Sequence, residues 1–146
     1  MKSIYTADMI INVMLYLKTV KSMSHQYLFI NGVPYSQNKA RGNKEGTKEW
    51  TDRVIQETKQ LEKVKDACIL KVSFLLPPDK FPKDFPFGPD LDNLLKRFLD
   101  ALTQTVFSEA QGNDSCVISM NVSKVKVESA EKAGVLLEIL PISVEM

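Results

Sequence analysis

Asp90, Leu91, Asp92 and Asn93 stand between a proline-rich stretch and a run of leucines, and no other segment of this sequence is better suited to chemistry. Asp90 falls just before a predicted helix and Asp92 in its first turn, so two carboxylates can converge while Leu91 anchors the backbone in the core. Mg²⁺ takes oxygen ligands in near-octahedral geometry and commonly only one or two protein carboxylates, with water and substrate phosphate completing its shell. An Asp-x-Asp at a rigid corner supplies that set. Lys96 follows Asp92 by one helical turn on the same face, where its ammonium can meet a phosphate held by the metal. Asp114, at the start of the next predicted strand, could return a third carboxylate to the same end of the sheet. A plainer reading competes with this one. Aspartates at helix starts cap free N–H groups and suit the positive end of the dipole, Asp92 and Lys96 can form a surface pair, and Asp114 beside Gly112 and Asn113 is an ordinary turn residue.

Other chemistries have little support. The single histidine, His25, has no Cys or His neighbour at ligand spacing, which argues against zinc and against Ser-His or Cys-His catalysis. Cys68 and Cys116 lie in apolar, strand-like segments and read as buried, reduced thiols of a cytoplasmic protein. Chemistry here must run on carboxylates and lysines. With 19 Lys+Arg against 18 Asp+Glu the net charge is +1, so no global basic field announces a nucleic-acid binder. The local footprint is the segment Gln37 to Lys48, where Lys39, Arg41, Lys44 and Lys48 face Glu45 alone.

The elements that must position these residues follow from periodicity. Tyr27 to Ile30 is a short apolar run ending at Asn31-Gly32, a strand and a turn. Tyr35 to Gly46 lacks apolar period and reads as a mobile loop. Thr47 can cap a helix that continues through Trp50, Val54, Ile55, Thr58 and Leu61. Cys68, Leu70, Val72, Phe74 and Leu76 alternate with polar residues as a strand that Pro77-Pro78 ends. Pro77 to Pro89 is a stiff, extended connection. It leads to a helix whose apolar stripe runs from Leu91 through Leu94, Leu95, Phe98, Leu99 and Leu102 to Val106. Cys116, Ile118, Met120 and Val122 alternate again, a hairpin turns through Ser129 to Gly134, and a last strand spans Val135 to Ile142.

Length and composition fit one domain with one core. Met9 to Leu17 is apolar except for Asn12, but it is far short of the roughly twenty residues that span a bilayer, and it lacks the flanks of a signal peptide. It reads as a short packing helix, or as a translated leader ahead of a start at Met23. Residues 1–25 are therefore expected to be an extension of uncertain role, and residues 26–146 the folded domain.

Asp90-Leu91-Asp92-Asn93-Leu94 with Lys96, then Asp100-Ala101-Leu102, then Asp114 and a strand reaching Lys124, resembles the core signature of the RusA-type Holliday junction resolvases. Gly32-Val33-Pro34-Tyr35-Ser36-Gln37-Asn38-Lys39 is similar to the Pro-x-Ser-x-Asn stretch after that family's first strand. Together the matches span Tyr27 to Ile142. The resemblance implies a small α+β subunit, with about four strands in a mixed or antiparallel sheet packed by two main helices. It also implies a homodimer that binds branched DNA, not membrane, and nicks it with Mg²⁺, for which Mn²⁺ is a plausible substitute. Carried over, Asp90, Asp92 and Asp114 are the metal ligands and Lys96 the catalytic lysine, while Asn38, Lys39, Arg41, Lys44 and Lys48 are candidate DNA contacts. One departure stands out: Asn113 replaces the first of two adjacent aspartates usual in the family, which makes Glu109 a fallback third ligand. Two rivals remain open, an acid-based phosphotransferase with an Asp nucleophile and a non-catalytic DNA-binding or assembly protein of the same fold.

Overall fold

The computed structural model describes residues 6–12, 25–36, 44–80 and 88–142. Residues 7–12 are helical (α1), opened by Thr6, whose hydroxyl accepts the Met9 N–H at 3.3 Å. Strand β1 spans Gln26–Asn31, helix α2 Lys44–Thr58, strand β2 Cys68–Leu76, helix α3 Leu91–Leu102, strand β3 Val117–Lys126 and strand β4 Gly134–Pro141. Four strands form one mixed sheet in the order β1-β4-β2-β3. This is the α+β domain expected from the sequence.

β2 is the spine of the sheet. Cys68, Leu70, Val72, Phe74 and Leu76 are all buried, and its two faces alternate because successive side chains of a strand point oppositely. Helices α2 and α3 cover the buried face through Trp50, Val54 and Thr58 and through Leu94, Phe98, Ala101 and Leu102. Phe74 meets Phe98 edge to face with ring centroids 5.9 Å apart. Burial of each such side chain stabilises the fold by about 1.5–3 kcal/mol, so the contact pins α3 to the middle of β2. On the other face Tyr27, Phe29, Leu136 and Leu140 stay exposed.

Strand direction fixes where the helices begin. β1 is antiparallel to β4, β4 is antiparallel to β2, and β2 is parallel to β3, so β1, β2 and β3 run one way. Helices α2 and α3 each return the chain between two of these strands, and both therefore start at the carboxyl ends of the strands. The predicted β3–β4 hairpin does not form. β4 inserts between β1 and β2, and the 127–133 connection rounds the end of β2, tied by the Val127 N–H to the Leu76 carbonyl at 2.9 Å. A side chain of any size at Gly134 would strike the Ile30 carbonyl and the Phe29 ring, so only glycine lets β4 enter beside β1.

Two boundaries and one burial pattern differ from the sequence reading. α2 begins at Lys44 rather than behind a Thr47 cap, and the Thr47 carbonyl accepts the Thr51 hydroxyl at 3.0 Å within the helix. α3 ends at Leu102. Val106 and Phe107 are fully buried, but tight turns present them, with the Phe107 N–H on the Leu102 carbonyl. β3 forms as expected, yet Ile118 and Met120 are 60% and 45% exposed, because β3 is a sheet edge with a bulge opposite Cys68 and Ile69. The expected loop residues 37–43 and the connection at 81–87 lie outside the described residues; Pro78–Lys80 forms a short 3₁₀ turn.

Candidate active site

Asp90 is the N-cap residue of α3, with extended backbone (φ −64°, ψ 136°), and its carbonyl accepts the Leu94 N–H at 3.1 Å. Its side chain makes no capping hydrogen bond. This decides against the plainer reading at that position, since a carboxylate placed to cap α3 would accept an N–H of the first turn. The Asn93 side-chain amide donates instead to Asp90 Oδ2 at 3.4 Å, a loose contact that restrains the carboxylate. Asp92 and Lys96 are exposed on the outer side of α3 and form no ion pair with each other among the described residues.

Two cations outside the motif brace this corner. Lys124, near the end of β3, donates from Nζ to the Pro89 carbonyl at 3.0 Å, fastening the residue before Asp90 to the sheet. Arg97, on the flank of α3 that faces α2, donates to the Ser36 carbonyl at 3.1 Å and to the Thr51 hydroxyl at 3.2 Å. The sequence reading placed Lys124 only at the end of a strand and singled out no role for Arg97. The signal that could have found Arg97 is its position one residue after Lys96, on the side of the helix opposite the Leu91, Leu95 and Leu99 stripe.

The helix directions also place the described end of the basic segment. Lys44 and Lys48 are exposed in the first turns of α2, at the same sheet end as Asp90 and Asp92. Lys48 lies 3.4 Å from Asp52, an exposed one-turn pair that contributes little. Asn38, Lys39 and Arg41 lie outside the described residues. His25 pairs with Glu138 at 2.8 Å and stacks on Tyr27, on the exposed face.

Asp114 is elsewhere. It sits in a 3₁₀ turn, Asn113–Cys116, at the start of β3, whereas Lys124 and the Pro89-Asp90 corner are at its end. Seven residues of strand separate the two ends of this path, about 23 Å at the usual rise. Glu109 is at the far end too, 3.3 Å from Lys65. No group of three or more acidic, His or Cys side chains able to hold a metal occurs among the described residues. Within one chain, Asp90 and Asp92 share the start of α3, while Asp114 and Glu109 lie at the other end of β3. Two exposed carboxylates still match what Mg²⁺ commonly takes from a protein, and their hard oxygens suit it.

Around Asp114 the chain is dominated by two thiols. Cys68 and Cys116 are buried against one another and unpaired by any disulfide. Burial, then the neighbouring Cys116 sulfur, pushes the Cys68 thiol up to about 12. Burial also raises Cys116; its hydrogen bond with Cys68 opposes this, and the carboxylates of Asp114 and Asp66 add to it. These are inert, protonated thiols rather than nucleophiles.

No described helix is long and apolar enough to cross a membrane. A comparison with curated proteins finds no match. The family model described as Endodeoxyribonuclease RusA matches residues 31–139, from the end of β1 almost to the end of β4, and so covers both helix starts, Asp90, Asp92, Asp114 and Lys124. That match takes in most of the chain, and on this evidence the chain belongs to the RusA endodeoxyribonuclease family.

Proposed function

We propose that this protein is a divalent-metal-dependent endonuclease that resolves Holliday junctions or other branched DNA, with Mg²⁺ as its ion and Mn²⁺ as a substitute. The observation that carries the reading is the Asp90 carboxylate, held at a braced corner yet unused in capping, inside a chain of an endodeoxyribonuclease family. When bound, the ion polarises the scissile phosphate and lowers the pKa of its water.

Asp90 and Asp92 would hold that ion from the first turn of α3, and the unpaired N–H groups of the same turn favour an anionic phosphate beside it. Lys96, one turn further along the exposed side, offsets charge that builds on the phosphoryl oxygens. Lys44 and Lys48 grip a flanking phosphate from α2, and Asn38, Lys39 and Arg41 are assigned as further DNA contacts. Those contacts are salt-sensitive and carry no sequence information by themselves. A branched-DNA substrate and reduced cysteines support a cytoplasmic setting for the reaction.

The test is nicking of a four-way junction and of a linear duplex across a Mg²⁺ titration. We expect metal-dependent cleavage of the junction that falls by about a hundredfold or more in Asp90→Asn and Asp92→Asn. Junction binding without cleavage at any Mg²⁺ or Mn²⁺ concentration would identify a non-catalytic DNA-binding protein instead.

A further inference from the structure

We propose that the open face of the sheet is a stacking platform for unpaired DNA, on which Tyr27 and Phe29 each take one base of a single strand and Lys71 takes a phosphate of the same strand. This rests on the nuclease reading above and names a second part of a branched substrate that the chain can hold. The observation behind it is the contrast between the two faces of one sheet. Helices α2 and α3 cover one face, and on the other Tyr27 is 67% and Phe29 45% exposed. An apolar patch left open in this way marks a binding surface, and a four-stranded sheet presenting aromatic side chains is an arrangement by which proteins stack unpaired bases. β1 sets the spacing. Tyr27 and Phe29 are two residues apart on the same side of the strand, about 7 Å. That is twice the rise of about 3.4 Å along one strand of a duplex, so the two rings suit successive bases drawn apart rather than a paired helix.

Both rings are held in place by the fold. His25 stacks on Tyr27 with ring centroids 4.3 Å apart, so a base on the open side of Tyr27 extends a stack already begun. The Phe29 ring lies over Gly134, whose missing side chain makes room for it. Tyr27, Phe29, Lys71, Ser73, Leu136 and Glu138 line a groove of about 430 Å³ that crosses β1, β4 and β2. The charges in this groove are arranged for an anion. Lys71 stands beside Glu138 in register, yet Glu138 pairs with His25 at 2.8 Å, and Lys71 makes no ion pair among the described residues. Its exposed ammonium is left for a phosphate. Direction agrees as well. β1 runs from Tyr27 through Phe29 toward the sheet end at which α2 and α3 begin, so a single strand laid along it leads to the end that carries Asp90 and Asp92.

The experiment follows the fluorescence anisotropy of a labelled deoxythymidine oligomer titrated with the full chain in EDTA, so that no metal ion takes part. Tyr27→Ala and Phe29→Ala should each weaken binding about 5–150-fold, the loss of one stacked base, while Tyr27→Phe and Phe29→Trp, which keep a ring, should stay within about threefold of wild type. Lys71→Ala should lower the slope of log affinity against log salt by about 0.7, the loss of one phosphate contact on a single strand. Leu140→Ala trims an exposed apolar side chain on the same face outside the groove and should leave the affinity unchanged. Wild-type protein that does not bind the oligomer, or binding that neither alanine variant weakens, overturns the proposal. Equal losses from Leu140→Ala and Phe29→Ala overturn it too, because they show general apolar contact rather than stacking. Ring-dependent binding by a protein that cuts no junction in Mg²⁺ would leave the platform standing and remove the nuclease reading; junction cleavage with oligomer binding indifferent to both rings would do the reverse.

Discussion

Replacing Lys124 by Met keeps the aliphatic stem of the side chain and removes the ammonium that holds the Pro89 carbonyl at 3.0 Å. A hydrogen bond to a charged group contributes about 1.5–3 kcal/mol net, and the lower end applies because Lys124 is half-buried and water can reach the carbonyl it leaves. For a domain of this size a loss of about 1.5 kcal/mol lowers the melting temperature by about 3–6 °C. The larger consequence concerns the site. Asp90 follows Pro89 directly, so a corner released from the sheet samples geometries in which its carboxylate and that of Asp92 no longer converge, and Mn²⁺ affinity should fall about 10–100-fold. Calorimetric metal titration and thermal denaturation of the metal-free protein separate the two effects, and Lys124→Arg, which retains a donor, should recover most of both. A melting temperature within about 1 °C of wild type together with an unchanged Mn²⁺ affinity would refute the bracing role.

Three further outcomes follow from contacts elsewhere. Arg97→Leu removes donors to the Ser36 carbonyl and the Thr51 hydroxyl and should cost about 1.5–3 kcal/mol by urea denaturation; Arg97→Lys should not restore it, since one ammonium cannot reproduce the planar fork. Thr58→Val strands the buried Thr105 hydroxyl, which lies 2.7 Å from that of Thr58, and should cost about 1–3 kcal/mol, part of which the double change with Thr105→Val should recover in a double-mutant cycle. Cys68 predicts alkaline weakness: between its ordinary value of 9.0 and about 12 the unfolded chain has lost a proton that the folded chain keeps. Stability is therefore full below pH 9 and declines as pH rises, by at most about 1.4 kcal/mol per unit, and Cys68→Val should flatten the slope in urea melts taken above pH 9.

What could be read from the sequence was local. The alternation from Cys68 to Leu76 gave β2 its limits and its buried face, and the leucine spacing gave α3 its start at Leu91, because a strand or helix buried on one side writes its period into its own residues. The Asp90-Leu91-Asp92 corner was legible for the same reason. Periodicity says which face of a strand is buried but not which strand lies beside it. That is why β3 and β4 were expected to form a hairpin when β4 in fact lies between β1 and β2. The same gap hid the position of Asp114: its distance from Asp90 depends on β3 being parallel to β2, a pairing between residues some fifty positions apart. The bracing roles of Lys124 and Arg97 escaped notice because each acts on a backbone carbonyl, and a carbonyl leaves no trace in residue identity.

The paired thiols at the start of β2 and β3 make the protein its own stopwatch. Cys68 has no exposed surface and Cys116 only 8%, and both side chains are shielded by the register that joins these strands. An aromatic disulfide reagent must wait for that register to part before it can react, so the release of its chromophore counts openings of the sheet rather than collisions with the surface. Two sulfur atoms already in the chain thus report the lifetime of the native sheet without any added label.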